Sequence, residues 1–248
     1  MAAYYGSDLA WVHHTGYSHH VERTSAGIVR LLHESGIDAG ARIIDVGCGS
    51  GLLARRLLAA GFVVTGVDAS PAMIDIARSY VPEAEFEVVR LPIAAQTRPA
   101  AMRVEYDAVV STGHVLNYLD TRDEIAHALE ELAHVLRPGG ALAIDLLTET
   151  YAERGAARGF HTEVADDWAI ITRFSRPGPC RFDRAITVFR RTGAHWRRND
   201  EYHRNVTFDP QEALRLLADH GVDAKELAAF GEEALPEGLI VLAGVRRL

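Results

Sequence analysis

From residue 43 onward, apolar and polar positions alternate between two periods. Short apolar runs of strand length, Ile43–Gly47, Phe62–Val67, Phe86–Val89, Tyr106–Val110 and Ala141–Leu146, are separated by segments whose apolar residues recur at helical spacing. The first helical segment spans 51–60 and stops at Gly61. The second begins at Ser70 as cap with Pro71 in the first turn and closes at Pro82. The third covers 123–136, with Ile125, Leu129, Leu132 and Leu136 on one face, and ends in Leu136-Arg137-Pro138-Gly139-Gly140. Strands that alternate with helices in this way predict an α/β fold, a parallel sheet covered on both faces.

The flanking segments read differently. Residues 1–40 predict two helical pieces, Asp8–Trp11 and Val21–Leu32, rich in aromatic residues and histidines. After residue 150 the pattern turns to three β-rich runs near 166–175, 181–191 and 195–208, broken by Pro177-Gly178-Pro179 and Thr192-Gly193-Ala194, which predicts an antiparallel meander. Helical period returns at Asp209-Pro210-Gln211-Glu212, a cap, a first-turn proline and a capping-box acid, and two strands near 224–230 and 238–246 follow. The expected organisation is an N-terminal helical lid (1–40), a Rossmann-like ligand-binding core (41–150), a β cap (151–208) and the C-terminal part of the core (209–248).

The chemistry concentrates at the first turn. Asp45-Val46-Gly47-Cys48-Gly49-Ser50-Gly51 places three glycines at alternate positions behind an acid, and a second acid, Asp68, ends the next strand. Alternate glycines let the chain bend sharply and let a ligand approach the main chain without meeting a Cβ, and an acid at the tip of the second strand can accept both hydroxyl protons of a ribose. The spacing is not the GxGxxG of a dinucleotide site, because the third glycine comes one residue early. DxGxGxG followed by an acid 23 residues on resembles motif I and the acidic loop of the class I S-adenosylmethionine-dependent methyltransferases. The Arg137-Pro138-Gly139-Gly140 turn is also common in that family.

This resemblance covers residues 26–150 and, less specifically, 207–248. It implies a doubly wound seven-stranded sheet of order 3-2-1-4-5-7-6 with the last strand antiparallel and the β insertion after strand five. It also implies S-adenosyl-L-methionine as cofactor. By analogy Asp45 and the amides of Gly47, Cys48, Gly49 and Gly51 hold the methionine portion, Asp68 and Ala69 the ribose, and Met73 and Leu91 the adenine, with Thr112 and Gly113 completing the cofactor set. The family often has an acid after strand three; Arg90 stands there instead and cannot accept a hydrogen bond.

Residues 111–118 follow strand four and face the crevice beyond the carboxyl ends of the strands. His114 is the candidate general base, since imidazole titrates near working pH. Tyr17, in the lid, is the second candidate at the reacting end. Asn117 and Tyr118 are candidates to orient the acceptor. The meander has eleven arginines against seven acids over 151–205, and Arg184, Arg198 and Arg204 are candidates to meet an anionic group. Period two puts Trp196, Arg198, Tyr202 and Arg204 on one face and Arg197 and His203 on the other.

Composition narrows the reading. A net charge of −8 and the absence of a basic domain argue against nucleic acid. No apolar stretch of membrane length and no basic leader are present, so a cytoplasmic protein is expected. Two cysteines without CxxC spacing, and no HExxH, predict no metal. Lys225 is the sole lysine among 26 basic side chains, which with abundant alanine fits a bacterial chain. The expected activity is methyl transfer to an O or N nucleophile of a small molecule, such as a specialised metabolite; the layout is similar to bacterial enzymes with a β-meander insertion, amino-sugar N-methyltransferases among them. Two rivals stay open: a methyltransferase-like enzyme of another reaction, such as cyclisation, and a non-catalytic cofactor-binding module. A homodimer is compatible with all three.

Overall fold

The computed structural model describes residues 4–16, 18–93 and 98–248. Two helices open the chain, α1 (Ser7–Gly16) and α2 (Ser18–Glu34). The core then runs β1 (Arg42–Val46), α3 (Leu52–Ala59), β2 (Val63–Asp68), α4 (Pro71–Tyr80), β3 (Glu85–Val88), β4 (Tyr106–Ser111), α5 (Arg122–Val135) and β5 (Leu136–Leu147). An insertion follows: α6 (Glu149–Arg158), β6 (Phe160–Val164), β7 (Trp168–Ser175), β8 (Arg181–Thr192) and β9 (His195–Val206). The chain ends with α7 (Pro210–Asp219), β10 (Val222–Leu227) and β11 (Leu239–Arg246).

The large sheet has the order β10-β11-β5-β4-β1-β2-β3. All core pairs from β5 to β3 are parallel, and β11 runs antiparallel to both β5 and β10. This is the doubly wound order expected from the sequence. Its strands read as near-continuous apolar runs because both faces are covered. On one face α5 and α7 contribute Ile125, Leu129, Leu132, Ala213 and Leu217 to a core with Ile44, Val109 and Leu142. On the other, α2, α3 and α4 contribute Ile28, Leu32, Leu57 and Ile74 to a core with Ile43, Val64 and Val110. The predicted caps form as hydrogen bonds: Ser70 Oγ accepts from the Met73 amide at 3.2 Å, and Asp209 Oδ1 accepts from Gln211 and Glu212 at 2.8 and 3.1 Å.

Three details differ from the sequence reading. The Arg137-Pro138-Gly139-Gly140 segment is not a separate turn but an irregularity inside β5, where the partner register jumps from Tyr106↔Leu136 to Ala108↔Ala141. The insertion is a four-stranded antiparallel sheet, β6-β7-β8-β9, preceded by α6. Its first strand escaped notice because it is a short edge whose side chains, including Phe160 and Val164, stand largely in solvent. α1 is also longer than its apolar residues suggest: Asp8, only 7% exposed, is tied to Arg190 and Arg197 of the insertion, and Trp11 lies under the Arg190 guanidinium at 4.2 Å.

Among the described residues no helix is long and apolar enough to cross a membrane.

Candidate active site at the carboxyl edge of the sheet

In the order 5-4-1-2-3 the winding of the sheet reverses between β1 and β4, and a doubly wound sheet binds its ligand beyond the carboxyl ends of the strands at that point. The glycine loop leaves β1 here. Gly47, Gly49 and Gly51 all have left-handed backbones, φ +68°, +53° and +82°, so the alternation of glycines is a conformational requirement. At Gly47 an added Cβ would also come within 2.3 Å of the Val115 side chain.

The loop amides, however, do not wait for a ligand. Gly47 and Cys48 donate to the Val67 carbonyl at 2.7 and 3.0 Å, Gly49 donates to Asp68 Oδ2 at 2.9 Å, and Gly51 donates to the Cys48 carbonyl at 3.0 Å. The expectation that these amides grip the methionine end is corrected accordingly: their donors are spent on shaping the loop. What the loop offers instead is an acceptor, because Asp45 Oδ2 is buried without a partner. Burial, and after it the nearby Asp68, push the Asp45 carboxyl up to about 8 from the ordinary 3.8. A ligand ammonium placed against it would satisfy the orphan oxygen.

Asp68 ends β2 with both oxygens anchored, Oδ2 to the Gly49 amide and Oδ1 to the Ser70 amide at 2.8 Å. The Ala69 amide bonds this carboxylate as well, and the remaining acceptor capacity is what a ribose hydroxyl would use. Burial raises its pKa and these amide bonds oppose the rise. Ala69, beside it, is exposed, and Met73 is buried with its sulfur 4.0 Å from a Cβ built at Gly49. Cys48 is buried between the loop and Gly66. Leu91 packs into the core cluster that contains Val67 and Val89.

After β4 the backbone turns through Gly113 (φ +96°) and His114 (φ +49°). A left-handed histidine is uncommon and is strained by roughly 1 kcal/mol or more. The conformation is fixed by Asp145 of β5, whose Oδ2 and Oδ1 accept from the Gly113 and His114 amides at 2.9 and 2.7 Å. Burial raises the Asp145 carboxyl to about 6, against the pull of these two bonds. Sequence reasoning missed Asp145. Its signal was an acid inside the apolar run Ala141-Leu142-Ala143-Ile144-Asp145-Leu146-Leu147.

The His114 ring then projects with both nitrogens buried and without a hydrogen-bond partner. Burial, with the field of Arg184 and His20 added, holds its pKa well below the ordinary imidazole value, so the ring is a neutral base at neutral pH. Ser111 Oγ, at the end of β4, is a third buried polar atom without a partner. The Tyr118 ring stacks on His114 at 6.0 Å, and its hydroxyl meets Tyr5 at 2.8 Å.

The N-terminal helices close over this edge. His14 Nδ1 reaches Ser50 Oγ at 2.9 Å, His20 Nε2 reaches Thr112 Oγ1 at 3.0 Å, and Ser70 Oγ donates to the Tyr5 carbonyl at 2.8 Å. Glu201 of β9 accepts from the Tyr5 and Gly6 amides and thus joins the lid to the insertion. Gly16 fits tightly against Trp168, whose ring a Cβ there would meet at 2.4 Å. Tyr17 lies outside the described residues.

Two candidate groups take other places. Asn117 is fully buried: its Nδ2 donates to the Leu147 and Val206 carbonyls at 3.0 and 2.6 Å and its Oδ1 accepts from the Leu147 amide at 2.8 Å. Its amide is used up in stitching the ends of β5 and β9, not in holding an acceptor. Asn117→Ala would strand three buried main-chain groups and should cost about 2–5 kcal/mol of stability, read by urea unfolding. The predicted grouping along β9 holds, but its outward side was the one chosen. Arg198 and Arg204 are exposed, Arg198 pairing with Asp200 at 3.0 Å and Arg204 standing over Tyr202, itself 48% exposed. The inward side carries His203 and Asn205, both fully buried. From β8 it is Arg184 that turns toward Tyr118 and Asn205.

One further set of potential metal ligands occurs among the described residues: Glu130, His134 and His220, with ligand atoms within 4.8 Å of one another. It lies at the far end of α5, toward the amino edge of the sheet.

Residues 43–140 match the family described as a methyltransferase domain. A Geobacillus protein that bears the name of a methyltransferase is 28% identical over 214 residues, 85% of each chain. A ubiquinone biosynthesis O-methyltransferase of Xylella fastidiosa is 32% identical over 114 residues, 46% of this chain and 45% of the relative. The fold is that of a sugar N-methyltransferase from Streptoalloteichus, with TM-score 0.75, 20% identity and coverage of 100% and 98% of the two chains. It is equally that of an S-adenosylmethionine-bound amino pentose methyltransferase from Micromonospora echinaspora, with TM-score 0.72, 21% identity and 99% coverage of both. Residues 43–140, which carry the glycine loop and the acid that ends β2, thus form a methyltransferase domain with the class I S-adenosylmethionine-dependent fold.

Proposed function

We propose that this enzyme transfers the methyl group of S-adenosylmethionine to an oxygen or nitrogen nucleophile of a small molecule, and that His114 takes the proton released. The observation that carries the reading is the His114 ring: neutral, with two buried nitrogens free of partners, at the carboxyl edge of β4. A ring kept there only for packing would have its polar atoms satisfied or replaced. The names of relatives support the acceptor class: sugar and amino pentose methyltransferases among the structures of like fold, an O-methyltransferase among the relatives in sequence.

When bound, S-adenosylmethionine supplies a methyl carbon activated by its sulfonium. The protein's task is alignment, worth up to roughly 7–11 kcal/mol in favourable cases, and acceptance of one proton. Asp68 would hold the ribose and Asp45 the ammonium, while the lid excludes water. Asp145 positions His114 through the main chain. The enzyme should be incubated with S-adenosylmethionine and a panel of amino sugars and phenols. A product heavier by one CH2, with S-adenosylhomocysteine released, supports the reading; a product of changed mass without that release contradicts it.

Asp45 gives a separate prediction. Its folded pKa of about 8 lies above the ordinary 3.8, so the ligand-free chain binds an extra proton and loses stability as pH rises between these values. A cationic ligand group against Asp45 favours the anion. Binding of S-adenosylhomocysteine at pH 7 should therefore release a proton, measured by calorimetry in two buffers of different ionisation enthalpy. Asp45→Asn should bind without that release.

A further inference from the structure

Among the described arginines of the insertion, Arg158, Arg173, Arg184 and Arg204 have no carboxylate partner, and of these four Arg184 is the one that is not exposed. It lies on the inner side of β8, in register with His203 of β9. Its terminal nitrogen donates to the Tyr118 hydroxyl and, at 2.8 Å, to Asn205 Oδ1, while its Nε is buried with no partner. No described carboxylate is within ion-pair distance. Asp183, next in sequence, projects to the opposite side of the strand, where it accepts from Tyr202 at 2.7 Å and pairs with Arg181. Glu201 is taken by the Tyr5 and Gly6 amides and by His203. The other arginines of this sheet that face an acid use it, as Arg190 and Arg197 do with Asp8.

The side chain is half-buried with its Nε fully enclosed, and a charge so placed without a carboxylate gains no stability from its position. Its neighbours do not neutralise it either. Tyr5 is kept protonated by burial, and the Tyr118 hydroxyl and the Asn205 amide oxygen occupy only part of the guanidinium. What remains is the Nε–H, the two Nη1 hydrogens and an uncompensated positive charge, which an anion would meet. It shares Tyr118 with the candidate base, since the Arg184 guanidinium stands 5.0 Å from the same ring that stacks on His114.

We infer that the acceptor carries an anionic group, a carboxylate or a phosphate, that seats on Arg184 beside the atom to be methylated. The inference rests on the methyltransferase reading and names the substrate class for it. It also has a consequence for the chemistry. Arg184 makes His114 a weaker base, and an anion on Arg184 would cancel that field, so the base gains strength when the acceptor arrives.

The test uses the full chain saturated with S-adenosylhomocysteine, titrated with sodium acetate, inorganic phosphate or sodium chloride at constant ionic strength, with melting temperature as the signal. Acetate or phosphate should give a saturable rise that chloride does not, and the better of the two identifies the group. Arg184→Met should weaken that response about tenfold or more while S-adenosylhomocysteine affinity stays within about threefold. Arg184→Lys, which keeps the charge and loses the planar set of N–H donors, should fall between and serves if the Met variant does not fold. No saturable anion response in the wild-type chain overturns the inference. So does an Arg184→Met or Arg184→Lys response equal to the wild type, even with a lowered melting temperature, which would leave Arg184 a purely structural job. Failure of the wild-type chain to bind S-adenosylhomocysteine would instead break the cofactor assignment on which the inference rests.

Discussion

Asp68→Ala should lose S-adenosylhomocysteine binding by about a hundredfold or more, the largest effect expected of any single substitution in the cofactor half of the site. Two hydroxyl-to-carboxylate hydrogen bonds at about 1.5–3 kcal/mol each amount to two to four orders of magnitude in affinity. The same carboxylate also fixes the Gly49 and Ser70 amides, so its removal loosens the loop and the start of α4. Asp68→Asn, which keeps one acceptor oxygen, should lose less. Calorimetric titration reads both, and an unchanged dissociation constant for Asp68→Ala would remove the ribose from this position.

The second large effect belongs to catalysis. His114→Asn should lower kcat at least tenfold, toward the roughly 10²–10⁴ that general-base catalysis supplies, while cofactor affinity stays within about threefold. Asparagine is the informative replacement because it tolerates the left-handed backbone at 114 and cannot serve as the base. The pH profile separates proton transfer from packing. Since burial and Arg184 lower the His114 pKa, the ring stays unprotonated as pH falls through the ordinary imidazole value. The wild-type rate should therefore stay level through pH 6.5 and decline only at lower pH. A variant rate equal to wild type would exclude His114 as the base.

The sheet was legible in the sequence because each core strand is a short apolar run with a capped helix after it, and because Ser70-Pro71 and Asp209-Pro210 announce helix starts by side-chain chemistry that is local. The glycine loop was legible for a similar reason: positive φ at alternate positions leaves a residue signature. Direction of hydrogen bonding did not show. The loop amides turned out to serve Val67, Asp68 and Cys48, which only the pairing of β1 with β2 determines. Parity along β9 could be read, but which side faces inward depends on where the lid packs, and the side chains of Glu201 and His203 rather than those of Arg198 and Arg204 meet it. Asn117 looked like a functional polar residue at a ligand edge, whereas its partners, Leu147 and Val206, are distant in sequence. Asp145 acts through two amides of another strand, a relation that no local pattern encodes.

In the proposed site the acceptor half would be assembled from four distant segments: the lid, the turn after β4, the end of β5 and the inner side of β8 and β9. The proposed cofactor contacts at Asp45 and Asp68 come from one continuous stretch, residues 45–73. That asymmetry would explain why a motif points to the reaction class and not to the acceptor.

The most direct test of the account is a crystal structure with S-adenosylhomocysteine bound. It should show both ribose hydroxyls on the Asp68 carboxylate, the ammonium near Asp45, and the sulfur facing the space bounded by His114 and Arg184. A nucleoside seated away from Asp68, or a sulfur turned from His114, would contradict it.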